Sequence, residues 1–151
     1  MAEDTNQLRV RLVTPDRILF EHVATAVELP SKSGYMEVLY GHAPLMAELG
    51  AGDVIVHCGA GGKAGGETGA AESGQRYNVS WGFVEVLGDR VTILASDALK
   101  PEEIDVARAQ EQLARGQKMW NEAGTSVEAF DEALRVTREA EAKIASAAEK
   151  H

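Results

Sequence analysis

The chain has 151 residues, 24 acidic against 15 basic side chains, and a formal net charge of −9. This length suits one domain, or a small domain with an appendage, and the acidic balance argues against general binding to nucleic acid or anionic lipid. The single cysteine, Cys58, excludes an internal disulfide, and no apolar run approaches the roughly 20 residues that a membrane-spanning helix needs.

Short strands are predicted over the first two thirds of the chain. Leu8–Val13 alternates apolar residues with two arginines, which is typical of a half-buried strand. An exposed loop is expected at Pro30–Gly34, and Trp81-Gly82 is expected to break a strand. Further strands are predicted at residues 17–20, 22–29, 36–39, 46–49, 53–58, 75–80, 83–87 and 90–95. Many short strands separated by turn signals indicate an antiparallel sandwich or barrel.

Residues 59–74 hold seven glycines and no large apolar residue. Such a segment cannot bury enough surface to order itself, so a flexible loop between two strands is predicted. A phosphate-binding P-loop would need Ser or Thr after Lys63 and a helix behind it, whereas Ala64 and a predicted strand follow. A solvated linker is the favoured interpretation.

After Ser96, apolar residues recur every three or four positions, which predicts two helices. The first is predicted to begin at Pro101, because proline is tolerated at the first helical position. A capping box at Thr125–Glu128 is expected to begin the second. The apolar stripe of the first helix comprises Val106, Ala109, Leu113 and Trp120. Since alanine is abundant and large core residues are few, the helical hairpin is predicted to be weakly held and able to undock.

Few residues suggest catalysis. His42 and His57 lie near carboxylates, but no His-x-His pair is present and no serine lies in a nucleophile elbow. Asp105 and Arg108 are neighbours on the first predicted helix, where a weak surface ion pair is favoured over a nucleotide or partner site. The residues alone therefore indicate a binding or structural module. The alternatives are a small metal-dependent β-sandwich enzyme and a free-standing ATP sensor.

Several motifs in this order resemble the ε subunits of bacterial F-type ATP synthases over nearly the whole chain. Ile104-Asp105-Val106-Ala107-Arg108-Ala109 matches the Ile/Leu-Asp-x-x-Arg-Ala motif of that family, and Gly41-His42-Ala43-Pro44 matches its turn motif. The strand and turn at residues 8–17 resemble the family's opening. Residues 82–86 and 89–95 resemble the end of its sandwich.

The resemblance implies an α+β fold, with an antiparallel two-sheet β-sandwich at residues 1–98 and a regulatory helical hairpin at residues 99–151. It implies a non-catalytic rotor subunit in the central stalk of a proton- or sodium-translocating ATP synthase. The implied partners are the γ subunit, the c-ring and, when the hairpin extends, the α/β head. The extended hairpin would inhibit ATP hydrolysis. The implied location is peripheral, at the cytoplasmic face of the bacterial inner membrane, without insertion into it.

The resemblance also implies particular sites. No cofactor or metal is required, and ATP is a candidate regulatory ligand. The candidate ATP site comprises Ile104, Asp105, Arg108, Ala109, Arg135 and Arg138. The candidate contact with the c-ring comprises Ser31, Lys32, Ser33, Gly34 and Tyr35. The structural turn comprises Gly41, His42, Ala43 and Pro44.

Overall fold

A computed structural model describes residues 7–57 and 75–148 of the chain. The chain divides into two compact units, Met1–Ala98 and Leu99–His151. Cys58 and the loop predicted at residues 59–74 lie outside the described residues. None of the described helices is long and apolar enough to cross a membrane.

The strands of the first unit form one hydrogen-bonded sheet. They are β1 (Leu8–Val13), β2 (Ile18–Ala24), β3 (Ala26–Ser31), β4 (Gly34–Leu39), β5 (Leu45–His57), β6 (Gln75–Leu87) and β7 (Arg90–Leu99). Their order in the sheet is β2-β1-β7-β6-β5-β3-β4. β1 and β7 run parallel, whereas β5 and β6 pair antiparallel along their whole described length. The strands predicted at residues 46–49 and 53–58 are therefore one long strand, β5. Those predicted at residues 75–80 and 83–87 are likewise one strand, β6.

The sheet folds on itself into two layers. Phe20 on β2 and Tyr77 on β6 are three strand spacings apart in the sheet, or about 14 Å. Their ring centroids are nevertheless only 5.9 Å apart, so the two side chains meet across an interior. Buried apolar residues from all seven strands form one core there. The predicted class, a β-sandwich followed by two helices, is confirmed.

β6 bends sharply where it passes from one layer to the other. Trp81 and Gly82 have positive φ angles of 56° and 131°, and Leu49 on β5 is the register partner of Gly82. A Cβ on Gly82 would overlap the Leu94 carbonyl oxygen on β7. The predicted break at Trp81-Gly82 is therefore wrong, because pairing continues on both sides and the glycine allows a bend instead.

The second unit contains a 3-10 turn at Pro101–Glu103 and two helices, α1 (Val106–Glu122) and α2 (Val127–Ala148). The prediction that the first helix begins at Pro101 is wrong. Ile104 returns to extended backbone, with φ −75° and ψ 124°, and this ends the turn. Asp105 then caps α1 through its side chain, so α1 begins one turn later than the proline suggests.

The cap of α2 is also displaced by one residue from its predicted position. The Ser126 hydroxyl, and not that of Thr125, accepts the backbone N–H of Ala129 at 3.2 Å. The same hydroxyl lies 3.4 Å from the Glu128 carboxylate. Both candidate residues carry a hydroxyl, and the chain enters the helix after a turn at Gly124, which has a φ of 61°.

Small residues form the contact between α1 and α2. The buried positions are Ala109 and Gly116 on α1, and Ala133, Ala140 and Ser146 on α2. A Cβ on Gly116 would lie only 3.1 Å from the Thr137 backbone nitrogen, so the glycine permits close approach of the two backbones. The predicted stripe is therefore partly wrong, since Val106 and Trp120 are 39% and 47% exposed. Trp120 instead packs edge to face on Phe130, with ring centroids 4.9 Å apart.

Candidate functional site

The β3–β4 hairpin ends in a tight turn with Lys32 and Ser33 at its tip. Ser31 and Gly34 are register partners, and the Ser31 hydroxyl donates to the Gly34 carbonyl oxygen at 2.6 Å. The Lys32 ammonium pairs with the Glu48 carboxylate on β5 at 3.0 Å. The predicted loop is thus shorter than expected, and most of the candidate c-ring segment lies exposed on an ordered tip.

Tyr35, the last residue of that segment, is tied to β5. Its hydroxyl accepts the Asp53 backbone N–H at 3.1 Å, although the residue is 66% exposed. Gly52 makes room for this contact, because a Cβ there would overlap the tyrosine hydroxyl. The buried Asp53 carboxylate accepts hydrogen bonds from Arg76 at 3.2 Å and from Asn78 at 3.1 Å. The hairpin is therefore tied to β5 by the Tyr35 hydroxyl, and the Asp53 carboxylate ties β5 in turn to β6.

The turn motif at residues 41–44 connects β4 to β5. Gly41 has a positive φ of 86°, which glycine adopts without strain. The His42 backbone N–H donates to the Leu39 carbonyl oxygen at 3.1 Å. The His42 Nδ1 lies 2.7 Å from the Ala43 carbonyl oxygen, so Nδ1–H donates there. The motif sets the entry of the chain into β5.

An apolar outer face, formed by Met46, Phe83, Leu87 and Leu94, lies on the surface of the sandwich. These residues are between 48% and 68% exposed. Met46 is the register partner of Glu85, so Phe83 and Leu87 are its diagonal neighbours on β6. The Leu94 backbone on β7 approaches Gly82, the residue before Phe83. Four large apolar side chains on adjacent strands form the kind of patch that marks a protein interface.

The candidate nucleotide residues at the start of α1 serve a structural purpose. The Asp105 carboxylate accepts the Arg108 backbone N–H at 3.2 Å, and the Ala109 backbone N–H donates to the Asp105 carbonyl oxygen at 3.0 Å. Ile104 and Ala109 are buried. Within the described part of the chain, no ion pair joins the side chains of Asp105 and Arg108. The spacing of three thus reflects a helix cap, and the Arg108 guanidinium remains exposed.

The other two candidate residues, Arg135 and Arg138, are exposed positions of α2. The two helices run antiparallel, because Gly116 lies beside Thr137 whereas Trp120, later in α1, contacts Phe130, earlier in α2. Arg138 therefore lies at the level of the middle of α1. Arg108 lies roughly one to two turns further along the axis, and Arg135 is about one turn more distant than Arg138. The backbone positions of the candidate residues are therefore spread along the hairpin.

Three comparisons with known proteins bear on the identity of the chain. Residues 7–101 match the family described as ATP synthase, Delta/Epsilon chain, beta-sandwich domain. The chain belongs to the delta/epsilon family of ATP synthase subunits. The ATP synthase epsilon chain of Solibacter usitatus is 38% identical over 143 residues, which cover 95% of this chain and 97% of that protein. The epsilon chain of Koribacter versatilis is 42% identical over 113 residues, 75% of this chain and 71% of that one.

A chain in the structure of the Euglena gracilis mitochondrial ATP synthase has the same fold. Its TM-score is 0.72 at 21% sequence identity, over 96% of this chain and 84% of that one. As a member of the delta/epsilon family, the chain is a non-catalytic subunit of ATP synthase. Among the described residues, no group of three His, Cys, Asp or Glu side chains is placed to hold a metal ion.

Two features that matter for this family member were not predicted from the sequence. The first is the apolar outer face, whose signal is the run Phe83–Leu87, with apolar residues on both sides of the strand. The second is the link from Tyr35 to Asp53, whose signal is the pair of glycines, Gly50 and Gly52, inside an otherwise regular strand. Neither sequence pattern shows which residue or partner the feature contacts.

Proposed function

We propose that the chain is the central-stalk subunit of a proton- or sodium-translocating F-type ATP synthase. In this proposal it couples the c-ring to the γ subunit at the cytoplasmic face of the bacterial inner membrane. The observation that carries the proposal is the match to the Solibacter usitatus epsilon chain, which includes the helical unit as well as the sandwich. The solved structure of a similar chain from Tetrahymena thermophila is described as a central stalk and c-ring.

The apolar outer face is the surface that we assign to the γ subunit. A rotor subunit transmits torque only through an interface that does not slip, and buried apolar side chains supply most of the energy of such interfaces.

The exposed tip at Lys32 and Ser33 is assigned to the c-ring. A turn held by the Ser31 hydroxyl and the Lys32–Glu48 ion pair presents a defined shape to that partner.

The helical hairpin is assigned the regulatory role. Its fully buried positions are alanine, glycine and serine, and its largest apolar contact, between Trp120 and Phe130, involves a half-exposed tryptophan. A marginal contact suits a switch, because a partner needs only a few kcal/mol of differential binding to shift its population. In the extended form the helices would meet the α/β head and inhibit ATP hydrolysis. ATP is proposed as a regulatory ligand at Asp105 and Arg108, which would favour the compact hairpin.

Binding to the γ subunit tests the proposed interface. Phe83→Glu places a carboxylate in the centre of the apolar outer face and should weaken binding to γ by about tenfold or more. Ile18→Glu is the matched control, since Ile18 is similarly exposed, at 53%, on the edge strand β2. Binding is measured with purified γ after circular dichroism has shown that both variants are folded. Equal affinity of the two variants would refute the assignment of this face to γ.

A further inference from the structure

A cleft on the sandwich collects three arginines in a chain that is acidic overall. Arg9 and Arg11 on β1 lie on the same face as Arg90 on β7, and all three line the cleft together with Glu21 and Thr92. Arg9 and Arg90 are register partners across the parallel β1–β7 pair. Like charges on neighbouring strands repel each other. The pairing of Arg9 with Arg90 therefore adds no favourable electrostatic energy to the sandwich by itself.

The charges of the cleft are only partly balanced. Arg11 pairs with the Glu21 carboxylate at 2.9 Å. Among the described residues, neither Arg9 nor Arg90 has an ion pair. The cleft therefore keeps an excess of two positive charges, although the chain as a whole carries −9.

The side chains that line the cleft are of the types that bind an oxyanion. Guanidinium groups bind phosphate through paired, charge-assisted hydrogen bonds, and arginine remains charged at all physiological pH values. The Thr92 hydroxyl, which belongs to the register partner of Arg11, adds a neutral donor. An anion placed between Arg9 and Arg90 would be attracted by both guanidinium groups. This attraction would offset the repulsion between them.

We propose that Arg9, Arg11 and Arg90 form a binding site for a phosphate group, either free or carried by a nucleotide. The site lies on the outside of the sandwich and shares no residue with the candidate ATP residues of the helical hairpin. The proposal does not depend on the proposed rotor function. An anion bound here offsets the repulsion between β1 and β7 and so stabilises the sandwich.

The test is a titration of the full-length, isotope-labelled chain with inorganic phosphate and, separately, with ATP. Sodium chloride holds the ionic strength constant, because exposed charges are screened by salt. Backbone and arginine side-chain NMR signals of Arg9, Arg11, Arg90 and Thr92 should shift and saturate. Arg90→Gln should lower the affinity roughly five- to tenfold. Arg115→Gln, which removes the same charge from an exposed position of α1, should leave it within about twofold.

The two ligands distinguish the source of the phosphate. Saturable shifts with inorganic phosphate assign the site to the free anion. If ATP but not inorganic phosphate gives saturable shifts at these arginines, and Arg90→Gln lowers the affinity for ATP, the site is assigned to a nucleotide. Shifts that chloride reproduces at equal ionic strength would overturn the proposal. So would binding that Arg90→Gln leaves unchanged, or ATP shifts confined to Ile104–Ala109.

Discussion

Among the sandwich glycines with positive φ angles, Gly82 and Gly88 lie in different surroundings. Gly82, at φ 131°, lies at the bend of β6 with the Leu94 carbonyl oxygen directly above its Cα. Gly88, at φ 62°, lies in the β6–β7 turn, where an added Cβ meets open space. The first position therefore excludes a side chain through both backbone strain and close packing. The second excludes one through strain alone.

Alanine at these two positions should separate the effects. Gly88→Ala should lower the free energy of unfolding by about 1–2 kcal/mol, which is the penalty of a left-handed conformation. Gly82→Ala should lower it by roughly 3 kcal/mol or more, because overpacking against the backbone adds to the strain. Urea unfolding of both variants, followed by circular dichroism, measures the difference. An equal effect of the two substitutions would contradict the close approach of β6 and β7.

Asp105 illustrates how one side chain can serve the fold and a ligand at once. Asp105→Ala removes the helix cap and should destabilise the helical unit by about 1 kcal/mol. Asp105→Asn keeps a good cap but removes the negative charge, so the stability of α1 should change little. If ATP binding depends on the carboxylate, calorimetry should show it lost in both variants. ATP binding retained in Asp105→Asn would assign the residue to capping alone.

The helical hairpin depends on a seam of small residues. Glycine inside a helix is normally unfavourable by about 1 kcal/mol relative to alanine. At Gly116 that preference is opposed by packing, because the Thr137 backbone lies within 3.1–3.3 Å of an added Cβ. Thr137 cannot easily move, since its hydroxyl donates to the Ala133 carbonyl oxygen at 2.7 Å. Close approach of the helices therefore outweighs helix propensity at this position.

The substitution Gly116→Ala should accordingly destabilise the hairpin by roughly 1 kcal/mol, although it raises helix propensity. Ala114→Gly is the control, because Ala114 is exposed on the same helix. Its cost, about 1 kcal/mol, comes from propensity alone. Thermal unfolding of the helices by far-ultraviolet circular dichroism reports both effects. A higher melting temperature for Gly116→Ala would refute the tight contact with Thr137.

The two units should also differ in local stability. The sandwich core contains large, fully buried residues such as Leu8, Leu29 and Ile93, whereas the hairpin seam contains mainly alanine and glycine. Amide hydrogens of α1 and α2 should therefore exchange faster with solvent than those of the central strands. Native-state hydrogen exchange measures this directly. Equal protection in helices and strands would contradict a weakly held hairpin.

The predicted division between strands at residue 21 was wrong, because β2 continues to Ala24 and β3 begins at Ala26. Alternation and turn signals nevertheless predicted most of the strands, because each strand of the sandwich buries one face. They could not distinguish a break from a bend at Trp81-Gly82, since that depends on the neighbouring Leu94. The helical periodicity predicted two helices but not their contact. Large residues such as Trp120 were expected in the seam, whereas the approach of the backbones at Gly116 selects small ones. The candidate ATP and c-ring residues came from the family resemblance. The sequence around an exposed arginine does not show which ligand that arginine binds.

At the scale of the whole molecule, the sandwich holds a complete core of its own. All eighteen residues of the main buried apolar cluster belong to the first unit. Removal of Pro101–His151 should therefore leave a folded sandwich that still presents the apolar outer face and the Lys32–Ser33 tip. The assignment of coupling to the sandwich and of inhibition to the helices predicts that the two functions can be separated by this truncation.

The most direct test of the account is the rate of ATP hydrolysis by the assembled complex, with the full-length chain or with a chain that ends at Lys100. Equal occupancy of the subunit in both complexes is established first. If the helical hairpin inhibits hydrolysis, the complex with the truncated chain should hydrolyse ATP faster. An equal or lower rate at equal occupancy would contradict a regulatory role for the hairpin.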